Sequence, residues 1–173
     1  MLKRMLVVLA SVVSLGAGAT VEQDAEAKRV QEDVKAIANA LYAGDVDTVL
    51  RFTLPMIIEA QGGMEKTRAT LQPVLDKFKS VNMKLESLTF PKPPEFLQDG
   101  DRRFAIVPTL SVISGNGQKV ESLNFQLGVL EKGSTQWHYV EGSRVNAENV
   151  QILFPGFPKD YKFPETYRKK VEP

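Results

Sequence analysis

From Asp24 to Ala43 the apolar side chains Ala27, Val30, Val34, Ile37, Ala38 and Leu41 recur at three- and four-residue steps. Glu26, Lys28, Glu32 and Lys35 fall on the opposite side. This spacing predicts an amphipathic helix. Gly44 is a natural stop for it, and Asp45 a suitable N-cap for a second helix carrying Val46, Val49, Leu50 and Phe52 that ends before Pro55. The short apolar stretch Met56–Ala60 reads as a buried turn of helix or a bent strand. After Gly62-Gly63, the positions Met64, Leu71, Val74, Leu75 and Phe78 predict a helix over Met64–Ser80, which Pro73 should kink or divide.

Beyond Ser80 the period changes to two. Met83 and Leu85, then Leu88 and Phe90 after a slip, predict a strand that ends at Pro91-Lys92-Pro93-Pro94. Asp99-Gly100 is a turn, and Arg102–Ser114 a long strand rich in β-branched residues. Ser114-Gly115-Asn116-Gly117 is a hairpin signal, because Asn-Gly tolerates the positive φ of a tight turn. In the partner strand, Val120–Glu131, Leu123, Phe125, Leu127 and Val129 alternate with Ser122, Asn124, Gln126 and Gly128. Lys132-Gly133-Ser134 is another turn, Gln136–Glu141 a last strand and Asn146–Phe154 a short helix. The order predicts an α+β domain, with N-terminal helices packed on a curved antiparallel sheet.

The ends of the chain read differently. Lys3 and Arg4, the apolar run Met5–Leu15 and the small residues Ala17-Gly18-Ala19 form a signal-peptide pattern over residues 1–19, with Thr20 as the first mature residue. The apolar run is about half of the roughly 20 residues that a membrane span needs. A periplasmic or secreted product is expected, with no span after cleavage. The domain then occupies residues 20–154, and residues 155–173 form a tail rich in proline, aromatic and basic residues.

Composition narrows the chemistry. A 43% apolar and 25% charged chain of 173 residues can bury one core and needs no second domain. With 22 basic residues, less the two in the leader, facing 21 acidic ones, the mature chain is nearly neutral. That removes the basic field of a nucleic-acid binder. The absence of cysteine removes disulfides, thiolate catalysis and thiolate–metal sites. His138 is the single histidine, so neither a metal motif nor a cofactor is expected. Lying between Trp137 and Tyr139 on a strand, it should face away from both. Gly115-Asn116-Gly117 sits in a hairpin with no helix after it, so no nucleotide loop is read there.

The segment Ala40-Leu41-Tyr42-Ala43-Gly44-Asp45-Val46-Asp47-Thr48-Val49, and the closing Trp137-His138-Tyr139-Val140-Glu141-Gly142, resemble the cone-shaped α+β superfamily. That superfamily holds nuclear transport factor two, ketosteroid isomerases and polyketide-cyclase-like proteins, and the likeness covers most of residues 24–142. It implies a cone-like α+β barrel with a conical cavity between sheet and helices, used by some relatives for isomerisation or cyclisation and by others for binding.

Glu59 is the candidate base that this resemblance implies. Set among Met56, Ile57 and Ile58, its carboxylate would be desolvated and fit for proton transfer if it faces inward; the competing reading has it point to solvent at the end of the segment. Counted from the Gly-Asp pair it falls out of step with the family pattern. Tyr42, Met56, Glu59, Phe104, Phe125, Trp137 and Tyr139 are the candidates for lining a pocket, with an ordinary core as the competing reading. Asp45 and Asp47 read as helix-capping and dipole-facing acids. The tail cluster Tyr167-Arg168-Lys169-Lys170 reads as a solvated terminus or a basic patch for an anionic surface or acidic partner, and Phe157, Tyr161, Phe163 and Tyr167 as packing back onto the domain or docking on another chain.

Three functions follow as expectations. One is a non-enzymatic binding or interaction module of the cell envelope, its partner an envelope protein or a second copy of the chain. The second is a carrier of a small apolar ligand. The third is an isomerase- or cyclase-like enzyme with Glu59 as base.

Overall fold

The computed structural model describes residues 16–171. The basic and apolar parts of the proposed leader lie outside these residues. Among the described residues, five α-helices and six strands follow in the order α1 Gly16–Ala43, α2 Val46–Phe52, α3 Pro55–Ala60, α4 Met64–Ser80, β1 Lys84–Thr89, β2 Glu95–Asp99, β3 Arg102–Gly115, β4 Gln118–Leu130, β5 His138–Glu141, α5 Asn149–Leu153 and β6 Tyr167–Val171, with a 3-10 turn over Gly142–Arg144 after β5. The fold is mixed α+β, with helices first and then a curved antiparallel sheet.

Local chemistry accounts for the helix ends. Gly44 takes a φ of 74°, and the Asp45 N–H turns back to the Ala40 carbonyl at 2.9 Å, closing α1 with a left-handed cap. The Asp45 carboxylate accepts the Thr48 N–H at 3.0 Å and opens α2. The stretch 56–60, open between helix and strand in the sequence, is helical, with Pro55 in the first turn, where its missing N–H costs nothing. Helix α4 runs as one element through the exposed Pro73, so the expected division does not occur. Helix α1 already includes residues 16–23, ahead of the expected start at Asp24.

Strands β3 and β4 form the spine of the sheet and pair along their whole length, from Arg103↔Leu130 to Gly115↔Gln118. Each has its outer edge divided between two short strands. β3 pairs with β2 over Arg102–Ile106 and with β1 over Leu110–Ser114. β4 pairs with β6 over Lys119–Leu123 and with β5 over Gln126–Val129. The sheet therefore has a waist only two strands wide at the pair Pro108↔Phe125.

The waist explains two residues. With the two-residue turn Asn116-Gly117 (φ 52° and 72°), hydrogen bonding alternates down the ladder so that even-numbered residues of β3 point their backbone away from β4. Pro108, which has no N–H, thus sits in a long interior strand only where β1 has ended and β2 not begun. Across the waist, the Phe125 N–H has no strand to meet. It donates instead to the Asn124 side-chain oxygen at 2.9 Å.

Two strands were not read from the sequence. β2 carries Phe96 and Leu97 side by side, so it lacks alternation, yet it pairs with β3 through five residues. β6 comes from the tail, so Gln136–Glu141 does not hold the last strand. The slip seen after Leu85 is a bulge, in which Leu85 faces Ile113 and Ser87 faces Val112, with Glu86 left over.

Because a pleat sends successive side chains to opposite faces, the sheet buries two different surfaces. On one, Phe104 and Ile106 join Phe125, Leu127 and Val129. This surface is covered by Val145, Val150, Phe154 and Phe157, with Tyr161 and Phe163 packed alongside. We call it the tail face. On the other, Ala105 and Val107 meet Val30, Val34, Phe52, Trp137 and Tyr139 beneath the helices. We call this the helix face. Val46, Leu50 and Leu75 tie α2 to α4 in a third cluster.

Candidate functional site

The helix face is apolar where it lies under Val30 and Val34 of α1. There Gly128 is needed: a Cβ on it would stand 3.0 Å from the Tyr139 ring and 3.3 Å from Trp137. Its absence lets both rings lie against β4 under the helix. Tyr139 donates its hydroxyl to the Asp33 carboxylate of α1 at 2.9 Å. Burial pushes the Asp33 carboxyl above its ordinary value, and the Tyr139 hydrogen bond partly offsets this. Burial likewise raises the Tyr139 hydroxyl, with Asp33 adding to it.

Towards the hairpin the same face turns polar. Thr109, Ser111 and Ile113 of β3, Leu85 and Leu88 of β1, and Ser122, Asn124 and Gln126 of β4 form the floor of a narrow cleft of about 110 Å³, polar along β4. Val34, Ile37, Ala38 and Tyr42 of α1 form its roof. Tyr42 stacks on Phe78 of α4 at 5.8 Å between ring centres. Its hydroxyl is pushed up to about 12, chiefly by burial, with Arg168 opposing and Glu141 adding. Glu141, at the end of β5, accepts the Asn124 amide at 3.0 Å. Arg168 of β6 lies 3.5 Å from the same oxygen. The Asn124–Glu141–Arg168 chain thus closes the gap that β5 and β6 leave along β4.

A wider cleft of about 340 Å³ adjoins it, between α1, α2, α3, α4 and β5. Leu41, Val49, Leu50, Leu71 and Val74 line it with apolar surface, and Gln61, Thr67, Thr70 and Arg144 with polar groups. Ile37, Gln126 and Glu141 border both clefts. The wide cleft falls within the ~300–1,000 Å³ common for small-molecule sites and has their mixture of apolar wall and few polar groups. A larger hollow of about 490 Å³ beside Glu22 and Arg29 is more open, and its Arg103 is already paired with Glu26.

The candidates from sequence are not brought together. Tyr42 and Tyr139 border the clefts, and Trp137 is buried beside Tyr139. Phe104 and Phe125 lie on the tail face, where Phe104 meets Phe154 and Phe157 at 5.3 and 5.0 Å and Phe125 stacks on Phe163 at 5.4 Å. The pleat makes a single pocket from all of them impossible. Met56 is exposed, and so is Glu59. Helix α3 buries only Ile58, and Glu59, next in sequence, turns outward; it borders neither cleft. The desolvated setting expected for a Glu59 base is therefore absent. His138 is half-buried on the side away from Trp137 and Tyr139, and burial lowers its imidazole.

Sequence reading missed Asp33, Asn124, Gln126, Glu141 and Arg168. One signal was present: the polar positions of β4 from Ser122 to Gln126 are uncharged. A strand face turned to water usually carries Lys or Glu, whereas Ser, Asn and Gln suit a covered polar surface. Among the described residues, no group of three His, Asp or Glu side chains is placed to hold a metal ion. No helix among them is long and apolar enough to cross a membrane. No family model, curated protein or solved structure matches this chain.

Proposed function

We propose that this chain is an exported, non-enzymatic binding module that holds a small, mainly apolar molecule in the clefts between its helices and its sheet. The observation that carries the reading is the asymmetry of the helix face: a polar floor of Asn124, Gln126 and Glu141 under an apolar roof of α1 side chains. A core that only had to be filled would favour apolar residues at such positions, because a covered polar group costs stability unless it is partnered. The helices-first order and the sheet with a sheltered concavity also suit membership of the cone-shaped superfamily. Export rests on the leader pattern of residues 1–19.

The test is binding of the apolar fluorophore N-phenyl-1-naphthylamine to the full chain. Emission should rise and shift to the blue. Val49→Phe and Leu71→Phe, which fill the wide cleft, should weaken binding about tenfold or more at unchanged fold, roughly 1.4 kcal/mol. Equal binding by wild type and both variants would place the dye elsewhere and end the reading. Export is checked separately by the mass of the secreted product, which should begin at Thr20.

A further inference from the structure

The two clefts differ in a way that constrains what enters them. The wide one has an apolar body, while the narrow one has a polar floor and room for a head group rather than a second body. Ile37, Gln126 and Glu141 stand where they meet. Glu141 and Gln126 are direct cross-strand partners, so their side chains stand together on the helix face.

Glu141 dominates the electrostatics of this junction. One of its oxygens is taken by Asn124 and approached by Arg168. A carboxylate offers about four acceptor sites, so capacity remains for a donor from a ligand. The neighbouring cations compensate it weakly. The Arg168 side chain is 69% exposed, so its pairing with Glu141 is screened by water. Arg144, the other charged residue bordering the wide cleft, is exposed as well. An anionic head would meet a half-buried carboxylate whose counter-charges lie in solvent. A head with N–H or O–H groups would instead satisfy Glu141 and Gln126 together.

We infer that the ligand is a short-chain amphiphile with a hydrogen-bond-donating head, a hydroxyl or an amine, and that Glu141 selects against a carboxylate head. This inference rests on the binding reading above. Its chemistry is recognition only; no bond forms or breaks.

The experiment is displacement of N-phenyl-1-naphthylamine from the full chain by 1-octanol, octylamine and octanoate, which share one tail. Octanol and octylamine should displace the dye at concentrations about tenfold below octanoate, as a hydrogen bond to a charged group warrants. Glu141→Gln keeps an acceptor for Asn124 but removes the charge, and should bring octanoate to within about threefold of octanol. Arg168→Ala leaves Glu141 less compensated and should favour octylamine by a further factor of roughly 2–5. Octanoate displacing best, or an order unchanged in a Glu141→Gln protein whose circular dichroism matches wild type, would overturn the inference while leaving the cleft reading intact. Failure of the dye to bind wild type would overturn both.

Discussion

The two faces of the sheet are built from alternate residues of the same two strands, yet they are sealed by different means. The tail face is covered mainly by chain that comes after the sheet, with Leu54 and Ile57 added from ahead of it, through a lattice of aromatic contacts in which Phe157 touches Phe104, Tyr161 and Phe163 with ring centres 5.0–5.6 Å apart. On that side Ile106, Pro108, Leu123 and Tyr161 border a hollow of about 610 Å³. The helix face is covered by chain that comes before the sheet, and there packing gives way from Trp137 and Tyr139 to a polar floor and two clefts. One face carries the aromatic packing, and the other carries the covered polar floor.

Truncating a tail-face aromatic should have the largest effect. Phe157 is almost fully buried, so Phe157→Ala should cost about 3–5 kcal/mol in denaturant unfolding. Ile37→Ala, which only enlarges an existing cleft on the helix face, should cost less than about half of that. Equal costs would mean that the two faces are packed alike.

A smaller effect tests the waist. Asn124→Ala removes the acceptor of the Phe125 N–H and the donor to Glu141. The orphaned amide and carboxylate should lower stability by ~1–3 kcal/mol. A neutral result would show that water replaces the side chain at the gap between β5 and β6.

The smallest effect is a dependence on pH at the join between α1 and β5. Burial holds the Asp33 carboxyl above its ordinary value of 3.8, so the native state keeps this proton longer than the unfolded chain does. The stability linked to that proton is fully present below 3.8 and is lost as pH rises through the folded-state value. Asn at position 33 does not titrate. The stability of wild type relative to Asp33→Asn should therefore fall as pH rises from about 3.8, measured by urea unfolding at each pH. A difference independent of pH would mean that Asp33 is as well solvated in the native state as in the unfolded one.

Much of the fold was legible because its signals are local. The stop at Gly44, the cap at Asp45, the span Met64–Ser80, the Asn116-Gly117 turn and the alternation of β4 each depend on neighbours a few residues away. The candidate site was far less so. Tyr42 and Tyr139 do border the clefts, but Phe104 and Phe125 were grouped with them because all four are large and aromatic, and size says nothing about which side of a pleat a residue occupies. Glu59 attracted attention through its apolar neighbours, but a short exposed helix needs to bury only one side chain.

By itself, then, the sequence determined the stop at Gly44, the span of α4 and the β3–β4 hairpin, which positions of β4 are apolar, and that the order is helices before sheet. Periodicity and turn chemistry act over a few residues and need no partner. Only the tertiary structure decided that the apolar face of β4 meets the tail rather than the helices. It alone decided that the tail supplies a sixth strand, and that Asn124, Glu141 and Arg168 meet across a gap. Those residues come from three separate strands, and the free energy that joins them depends on contacts between distant segments, which no local pattern encodes.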